Sequence, residues 1–427
     1  MQVISDVKLA GMEKETRRLL LNSNLLPSEK QTLLSRIAEQ AAAMDMPCYV
    51  VGGFVRDLLL ERPVKDLDII VEGDAIKFGE GLVQKFGGRL TPHHKFHTAI
   101  WHLPSIFNLH PSTLDLISAR SESYPAPGAL PAVKPSSIED DLLRRDFNIN
   151  AMAIRLDGGH FAELLDPLNG QADLAAGLIR VLHPHSFIDD PTRIFRAIRY
   201  EARYSFVLEP STLNLINSEA LDALSRLSGE RIRHELDLIF EEEGSAQMIL
   251  RAGSLNVFEN IHPQLPAFNP HYIHFLEMDP ALDIPANRAA LGYMLWLMHL
   301  TEEDVLSVAE RLSFSSDLTL FVWAAAQLMR SLVHLANSKP SVWTFAVEKL
   351  PLLSIYAVYL ISRENALLDY LSLWRHVKPH TSGDDLKLHG LLPGPRFGEI
   401  LHQLRAAWLD GEVHNESQEK ELLAKIL

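Results

Sequence analysis

Cysteine is almost missing from this sequence: Cys48 stands alone among 427 residues. One thiol excludes a disulfide framework and a cysteine-based zinc site, and its place at the start of an apolar run suits a buried structural role. A leader-like segment is missing as well, since Met1 to Leu21 scatters its charges and holds no apolar core. Long apolar runs are scarce. The longest, Leu318 to Met329, is interrupted by Gln327 and stopped by Arg330, too short on this reading to cross a bilayer. No membrane partner and a cytoplasmic location are therefore expected. Positive charge is also in short supply: 40 Lys and Arg face 55 Asp and Glu, for a formal net charge of −15. That excludes a generic nucleic-acid coat protein and requires any RNA-binding surface to be local.

What is present is a globular composition, 47% hydrophobic and 22% charged, on a chain long enough for about two to four domains. The most informative stretch is Tyr49 to Glu72, Y-V-V-G-G-F-V-R-D-L-L-L-E-R-P-V-K-D-L-D-I-I-V-E. Tyr49-Val50-Val51 reads as a buried strand that stops at Gly52-Gly53, and helical spacing resumes at Phe54. A glycine turn from strand to helix exposes backbone N–H groups at the positive end of a helix, which suits phosphate. Arg56, one turn in, adds charge. Downstream, strand periodicity puts Asp66 and Asp68 on one face, roughly 7 Å apart. Two neighbouring carboxylates repel unless a cation lies between them, and a pair of Mg²⁺ ions is the usual solution. D-x-D alone describes many solvated strand edges, but a phosphate-binding turn just upstream favours the metal.

Val7 to Met44 reads as two helices broken at Leu26-Pro27-Ser28, and Ala75 to Phe86 as a helix closed by Gly87-Gly88. Arg89 to Leu103 reads as strand, loop and strand. Its His93, His94 and His97 lack a nearby cysteine or acidic ligand, so no metal is expected there. Ser112 to Arg120 alternates like another strand, which places Asp115 to join the D-x-D pair as a third carboxylate. Asp140 to Ile154, D-D-L-L-R-R-D-F-N-I-N-A-M-A-I, turns Leu142, Phe147 and Ile149 inward and gathers Arg144, Arg145, Asp146 and Asn150. Guanidinium suits phosphate, and Asp or Asn can hydrogen-bond a sugar hydroxyl. Leu165 to Arg180 reads as a turn capped by Asp166 and Pro167, with a short helix from Asp173.

In D-D-P-T-R-I-F-R-A-I-R-Y-E-A-R-Y-S-F, Asp189 to Phe206, Asp190 and Pro191 form a strong helix start. Arg193, Arg196, Arg199 and Arg203 then fall within roughly a third of the helix circumference, the local basic stripe that the net charge demands. Ile194, Ala197, Ile198 and Ala202 are left for the core. Ser228 to Phe240 reads as a Ser-capped helix in which Arg231 is mainly scaffold. From about Glu242 the pattern is helical, with proline joints at Pro263 to Pro270, Pro340 and Pro351 and a closing helix from Phe397. The apolar helices between Leu291 and Leu335 suit either a core or an interface, which leaves the oligomeric state open.

Tyr49 to Glu72 resembles the nucleotidyltransferase core of the DNA polymerase beta superfamily. With R-R-D-F-x-x-N-A at Arg144, D-P-x-x-G-x-x-D-L at Asp166, D-D-P-T-R at Asp189 and the Ser228 helix in order, the chain resembles class II tRNA nucleotidyltransferases and poly(A) polymerases. The resemblance implies an α+β fold: a mixed-sheet head at 1–160, a helical neck at 161–245, a body at 246–375 and a tRNA-binding tail at 376–427. It also implies CTP and ATP as substrates, tRNA as partner, and two Mg²⁺ ions on Asp66 and Asp68 with Asp115 beside them. Gly52, Gly53 and Arg56 would steady phosphates, while Arg144, Arg145, Asp146 and Asn150 would hold ribose and triphosphate. Asp190 and Arg193 would pair with the base edge, leaving Arg196 and Arg199 for triphosphate or RNA backbone. Tail residues Lys378, His380, Lys387 and Arg396 suit RNA contacts and solvated surface charges equally well. Asp189 stands where the family has Glu, which leaves the choice of base open. CCA, CC-only, A-only and poly(A) addition all fit this framework, and the alternative of another class is an RNA-binding protein that has lost the chemistry.

Overall fold

The computed structural model describes residues 26–64, 67–110, 112–269, 272 and 280–427. Asp66 and the first of the two N-terminal helices lie outside them. Packing divides the chain into two compact units, Met1–Leu227 and Ser228–Leu427.

The first unit is built on strands β1 (Cys48–Val51), β2 (Asp68–Val71), β3 (Arg89–His93), β4 (Thr98–His102) and β5 (Thr113–Ser118). A separate hairpin follows, β6 (Arg120–Ser123) with β7 (Ala132–Pro135), and then β8 (Ala153–Arg155) and β9 (Leu164–Leu165). The main sheet has the order β3-β4-β5-β2-β1-β8-β9. β2 and β5 run parallel, and the other neighbours are antiparallel. Composition matches position. Central β1 is apolar and fully buried, whereas β4 and β5 alternate buried and open residues, as strands with one wet face do. Cys48 is buried there, as its context suggested.

Helices Ser28–Ala43 and Ala75–Phe86 cover one face of the sheet. Asp74 starts the second by accepting the N–H groups of Ile76 and Lys77, and Gly87, at φ +82°, ends it. Gly79 of this helix lies against Leu90 and Leu116, and buried Trp101 donates its indole N–H to the Gly87 carbonyl. On the other face, Ile138 and Leu142 of the short helix Ile138–Leu143 pack on Tyr49, Val51, Ile70 and Ala153. That cover sits over β1, β2 and β8. Over β5, β4 and β3 the same face carries exposed Thr113, Asp115, Arg89 and His93.

Two boundaries differ from the sequence reading. The helix expected from Asp173 begins at Gly170, because both Asp166 oxygens accept backbone N–H groups, from Gly170 and Gln171. Pro191 lies just outside the helix Thr192–Tyr204, and Asp190 caps it by accepting the Thr192 N–H.

The second unit is helical throughout its described residues. Leu291 and Tyr293 to Met298 form its core. The apolar run from Leu318 is part of a 20-residue helix, Ser316–Leu335, which by length and composition alone would reach across a membrane. The expectation that it is too short is corrected. The helix packs on helices Arg288–Leu297, Glu302–Arg311 and Leu352–Ser362 and buries Val322, Ala324, Ala325, Ala326 and Leu328. Proline sets the joints as expected, with Pro340 opening one helix and Pro351 preceding another. At the end of the unit, Leu386, Ile400, Leu404 and Leu423 join three short helices, of which Pro395–Leu409 starts two residues ahead of the expected Phe397.

Candidate active site

Asp68 opens β2 and Asp115 lies in β5, and the two are register partners on adjacent parallel strands. Register partners share a face and neighbouring strands lie about 4.8 Å apart, so the two carboxylates stand side by side. This is the juxtaposition expected for Asp115. Asp115 is exposed and has no hydrogen bond or ion pair among the described residues. Hard divalent cations take such oxygen pairs, so the donor set fits Mg²⁺. A cavity of 330 Å³ opens beside them, lined also by Lys30, Leu67, His110 and Thr113. Among the described residues no group of three His, Cys, Asp or Glu is arranged to hold a metal.

The glycine turn follows β1. Gly52 adopts φ +64° and ψ −123°, a conformation costly for any residue with a Cβ. Its N–H donates to the Met152 carbonyl at 3.0 Å, so this donor is already used and the expected phosphate contact from it is corrected. What Gly52 provides is space. A Cβ there would lie 2.5 Å from Arg145 Nη1, so the guanidinium rests directly over the turn. Gly52→Ala is expected to push Arg145 aside and weaken nucleoside triphosphate binding about tenfold, about 1.4 kcal/mol. Equilibrium binding of a triphosphate checks it.

Arg144 and Arg145 are organised by one residue that the sequence reading passed over. Asp141 is fully buried. Its Oδ1 accepts from Arg144 Nε at 3.0 Å and Nη2 at 2.8 Å, and its Oδ2 from Arg145 Nη2 at 3.0 Å. Buried Glu122 of β6 accepts from Arg144 Nη1 at 3.0 Å and from the Tyr124 hydroxyl at 3.2 Å. Burial pushes the Tyr124 phenol up to about 12, against the Arg193 charge, so it stays a proton donor. Arg145 Nε, buried, has no partner among the described residues. A signal for Asp141 existed in the sequence: an acid three and four residues ahead of two arginines on a helix pairs with both.

Arg56 occupies a different place from the one expected. It is 4% exposed. It donates to Asn150 Oδ1 at 2.5 Å and Asp57 Oδ1 at 2.9 Å, and its guanidinium lies over the rings of Tyr200 and Tyr204 at 5.3 and 4.6 Å. It forms the floor beneath the turn. Asn150 passes the network on, donating to Asp146 Oδ1 at 2.8 Å. Asp146 Oδ2 accepts from Arg196 Nε at 2.7 Å. Burial acts to raise the Asp146 carboxyl, but the Arg196 charge and the hydrogen bonds from Asn150 and Arg196 outweigh it and hold the group below its ordinary value. The stability this adds is present above the ordinary aspartate pKa and is lost as pH falls through the lowered one.

The basic helix is graded along its length. Arg193 is buried, donating to Ser186 Oγ at 2.6 Å, to the Arg144 carbonyl at 2.9 Å and to the Tyr124 hydroxyl at 3.5 Å. Asp190 Oδ1 accepts the Thr192 N–H and hydroxyl. Arg193 is therefore turned inward. Arg196 and Arg199 are half-buried and Arg203 is exposed. Ile194, Ala197 and Ile198 are buried as expected, while Ala202 is only half-buried.

The family model of the poly(A) polymerase head domain matches residues 48–180, and that of the probable RNA and SrmB-binding site of polymerase A matches 205–268. The A-adding tRNA nucleotidyltransferase of Geobacter sulfurreducens is 34% identical over 95% of this chain, which spans 48% of that protein. The A-adding tRNA nucleotidyltransferase of Halalkalibacterium halodurans is 33% identical over 93% of this chain and 92% of its own length. A solved CCA-adding enzyme superposes with a TM-score of 0.82 and 30% identity, covering 96% of this chain and 98% of the other. The mixed-sheet head and helical remainder are therefore those of a known fold, and the chain belongs to the tRNA nucleotidyltransferase family.

Proposed function

We propose that the chain adds nucleotides, without a template, to the 3′ end of tRNA from ATP or CTP and releases pyrophosphate. The observation that carries this is the Asp68–Asp115 pair, placed in register on the open sheet face. Asp66 and Asp68, with Asp115 beside them, would hold Mg²⁺. When bound, the metal would lower the pKa of the RNA 3′-hydroxyl and offset the charge of the triphosphate.

The Arg145 guanidinium lying over Gly52 faces the phosphates, and Asp141, shared with Arg144, fixes its position. Asp146 and Asn150, with Arg56 beneath them, hold the ribose side of the site, and Arg196 extends its charge outward. The 3′-oxygen forms a bond to the α-phosphorus, and the bond to the pyrophosphate oxygen breaks. Base selection falls to Asp190 and Arg193. For Arg193 to reach a base edge it must leave the Ser186 and Tyr124 hydroxyls. The division into head, neck, body and tail, with tRNA held by the tail, is part of the same proposal, as is a cytoplasmic location.

Among the possible products, addition of the terminal A is favoured, because two A-adding relatives match nearly the whole chain at above 30% identity. The test is incorporation of labelled CTP and ATP, alone and together, on tRNAs lacking CCA, ending in CC, or complete. One A added only to the CC end is expected. C followed by A would make it a full CCA-adding enzyme, and unlimited A on any RNA would make it a poly(A) polymerase. No incorporation would leave only RNA binding.

A further inference from the structure

The composition of the histidine-rich hairpin β3–β4 is unusual for this chain. From residue 81 to residue 114 there is no acidic side chain, in a protein with a net charge of −15. The same stretch carries Lys85, Arg89 and Lys95 and five histidines, His93, His94, His97, His102 and His110. The register places Arg89 opposite His102 and His102 opposite Thr113, on the face that bears Asp115. Arg89 and His93 are exposed, as are Lys95 and Phe96 in the turn between the strands. The Lys95 ammonium stands 5.6 Å from the Phe96 ring centroid.

This basic surface adjoins the carboxylates on one side only. On their other side, the face is covered by Ile138 and Leu142, and the glycine turn and Arg145 gather there. In-line displacement needs the attacking hydroxyl and the leaving pyrophosphate on opposite sides of the reacting phosphorus. With the triphosphate on the Arg145 side, the RNA enters from the side of β5, β4 and β3.

We propose that the open face of β5, β4 and β3 seats the sugar–phosphate backbone of the RNA 3′ end, with Arg89 and Lys95 as phosphate contacts. The assignment rests on the nucleotide-addition reading for the direction of entry. Its ligand is the polyanionic backbone of single-stranded RNA, recognised by charge and not by base. The exposed ring of Phe96 provides a stacking surface at the far end of the strip.

The test is fluorescence anisotropy of a labelled tRNA ending in CC, across a salt series, with Arg89→Ala/Lys95→Ala beside the parent. Both side chains are exposed, so the fold is expected to persist. RNA affinity should fall about tenfold and the slope of log K against log salt should shrink by about 1.4, the amount for two single-strand phosphate contacts. ATP affinity should not change. The charge-preserving pair Arg89→Lys/Lys95→Arg should bind RNA like the parent. Unchanged RNA affinity and slope in the alanine pair, or an equal loss of ATP binding, would overturn the assignment. Because binding is read directly, a parent protein that binds RNA but incorporates nothing would refute nucleotide addition without touching this result.

Discussion

Asp141→Ala is expected to lower stability by about 3 to 4 kcal/mol and to weaken nucleotide binding about a hundredfold. The side chain is fully buried and receives three guanidinium hydrogen bonds from two arginines. Removing one partner of a buried charge network is far costlier than a surface pair suggests, because the remaining charges stay desolvated and unpaired. Glu122 still holds one edge of Arg144, so the damage falls mainly on Arg145, whose other donors face the turn. The stability loss is read by urea unfolding, and the binding loss by the KM for ATP at saturating RNA. Asp141→Asn keeps the shape and part of the hydrogen bonding, and should lie between the two proteins. A normal KM in the alanine variant would show that Arg145 keeps its place over Gly52 without Asp141.

Asp68→Asn should cut the rate of nucleotide addition about a thousandfold, about 4 kcal/mol in the barrier. The substitution is nearly isosteric at the partly open end of a strand whose other residues are buried, so the fold should be kept. It removes one negative charge from a pair that stands in register across β2 and β5. The pair's value lies in that doubled charge, since a divalent cation is drawn by carboxylates and only weakly by an amide oxygen. RNA affinity should be close to unchanged, because the basic strip lies on β3 and β4. KM for ATP should change little next to kcat, as Arg145 and its supports are untouched.

Much of this centre was legible from residue order. The first strand, the glycine turn and the strand that opens at Asp68 follow from apolar runs punctuated by Gly52-Gly53, while Asp66 lies outside the described residues. Asp115 followed from alternation in Thr113–Ser118, and the parallel register with β2 is the fact that periodicity alone does not supply. Direction along a helix was less legible. Arg193, Arg196, Arg199 and Arg203 were expected to share one face. The structure instead buries the first and exposes the last, because hydroxyl and carbonyl acceptors from Ser186, Tyr124 and Arg144 surround the helix start. Arg56 was misjudged for a related reason. Its place one turn beyond the glycines suggested a phosphate contact, but two tyrosines from a helix more than a hundred residues away stack on it. Glu122 and Tyr124 carried no visible signal. Their importance comes from a hairpin that the sequence presents only as a strand end beside a proline-rich loop.

On the proposed function, nucleotide addition occurs at the Asp68–Asp115 pair on the open sheet face. Single-turnover release of pyrophosphate from ATP, on a tRNA ending in CC, tests it most directly in the parent and in Asp68→Asn, with Mg²⁺ and with EDTA. Release by the parent in Mg²⁺, its loss in EDTA and a thousandfold slower release by the variant are predicted. Equal release by variant and parent, with tRNA and ATP still bound, would contradict the claim and place the chemistry elsewhere.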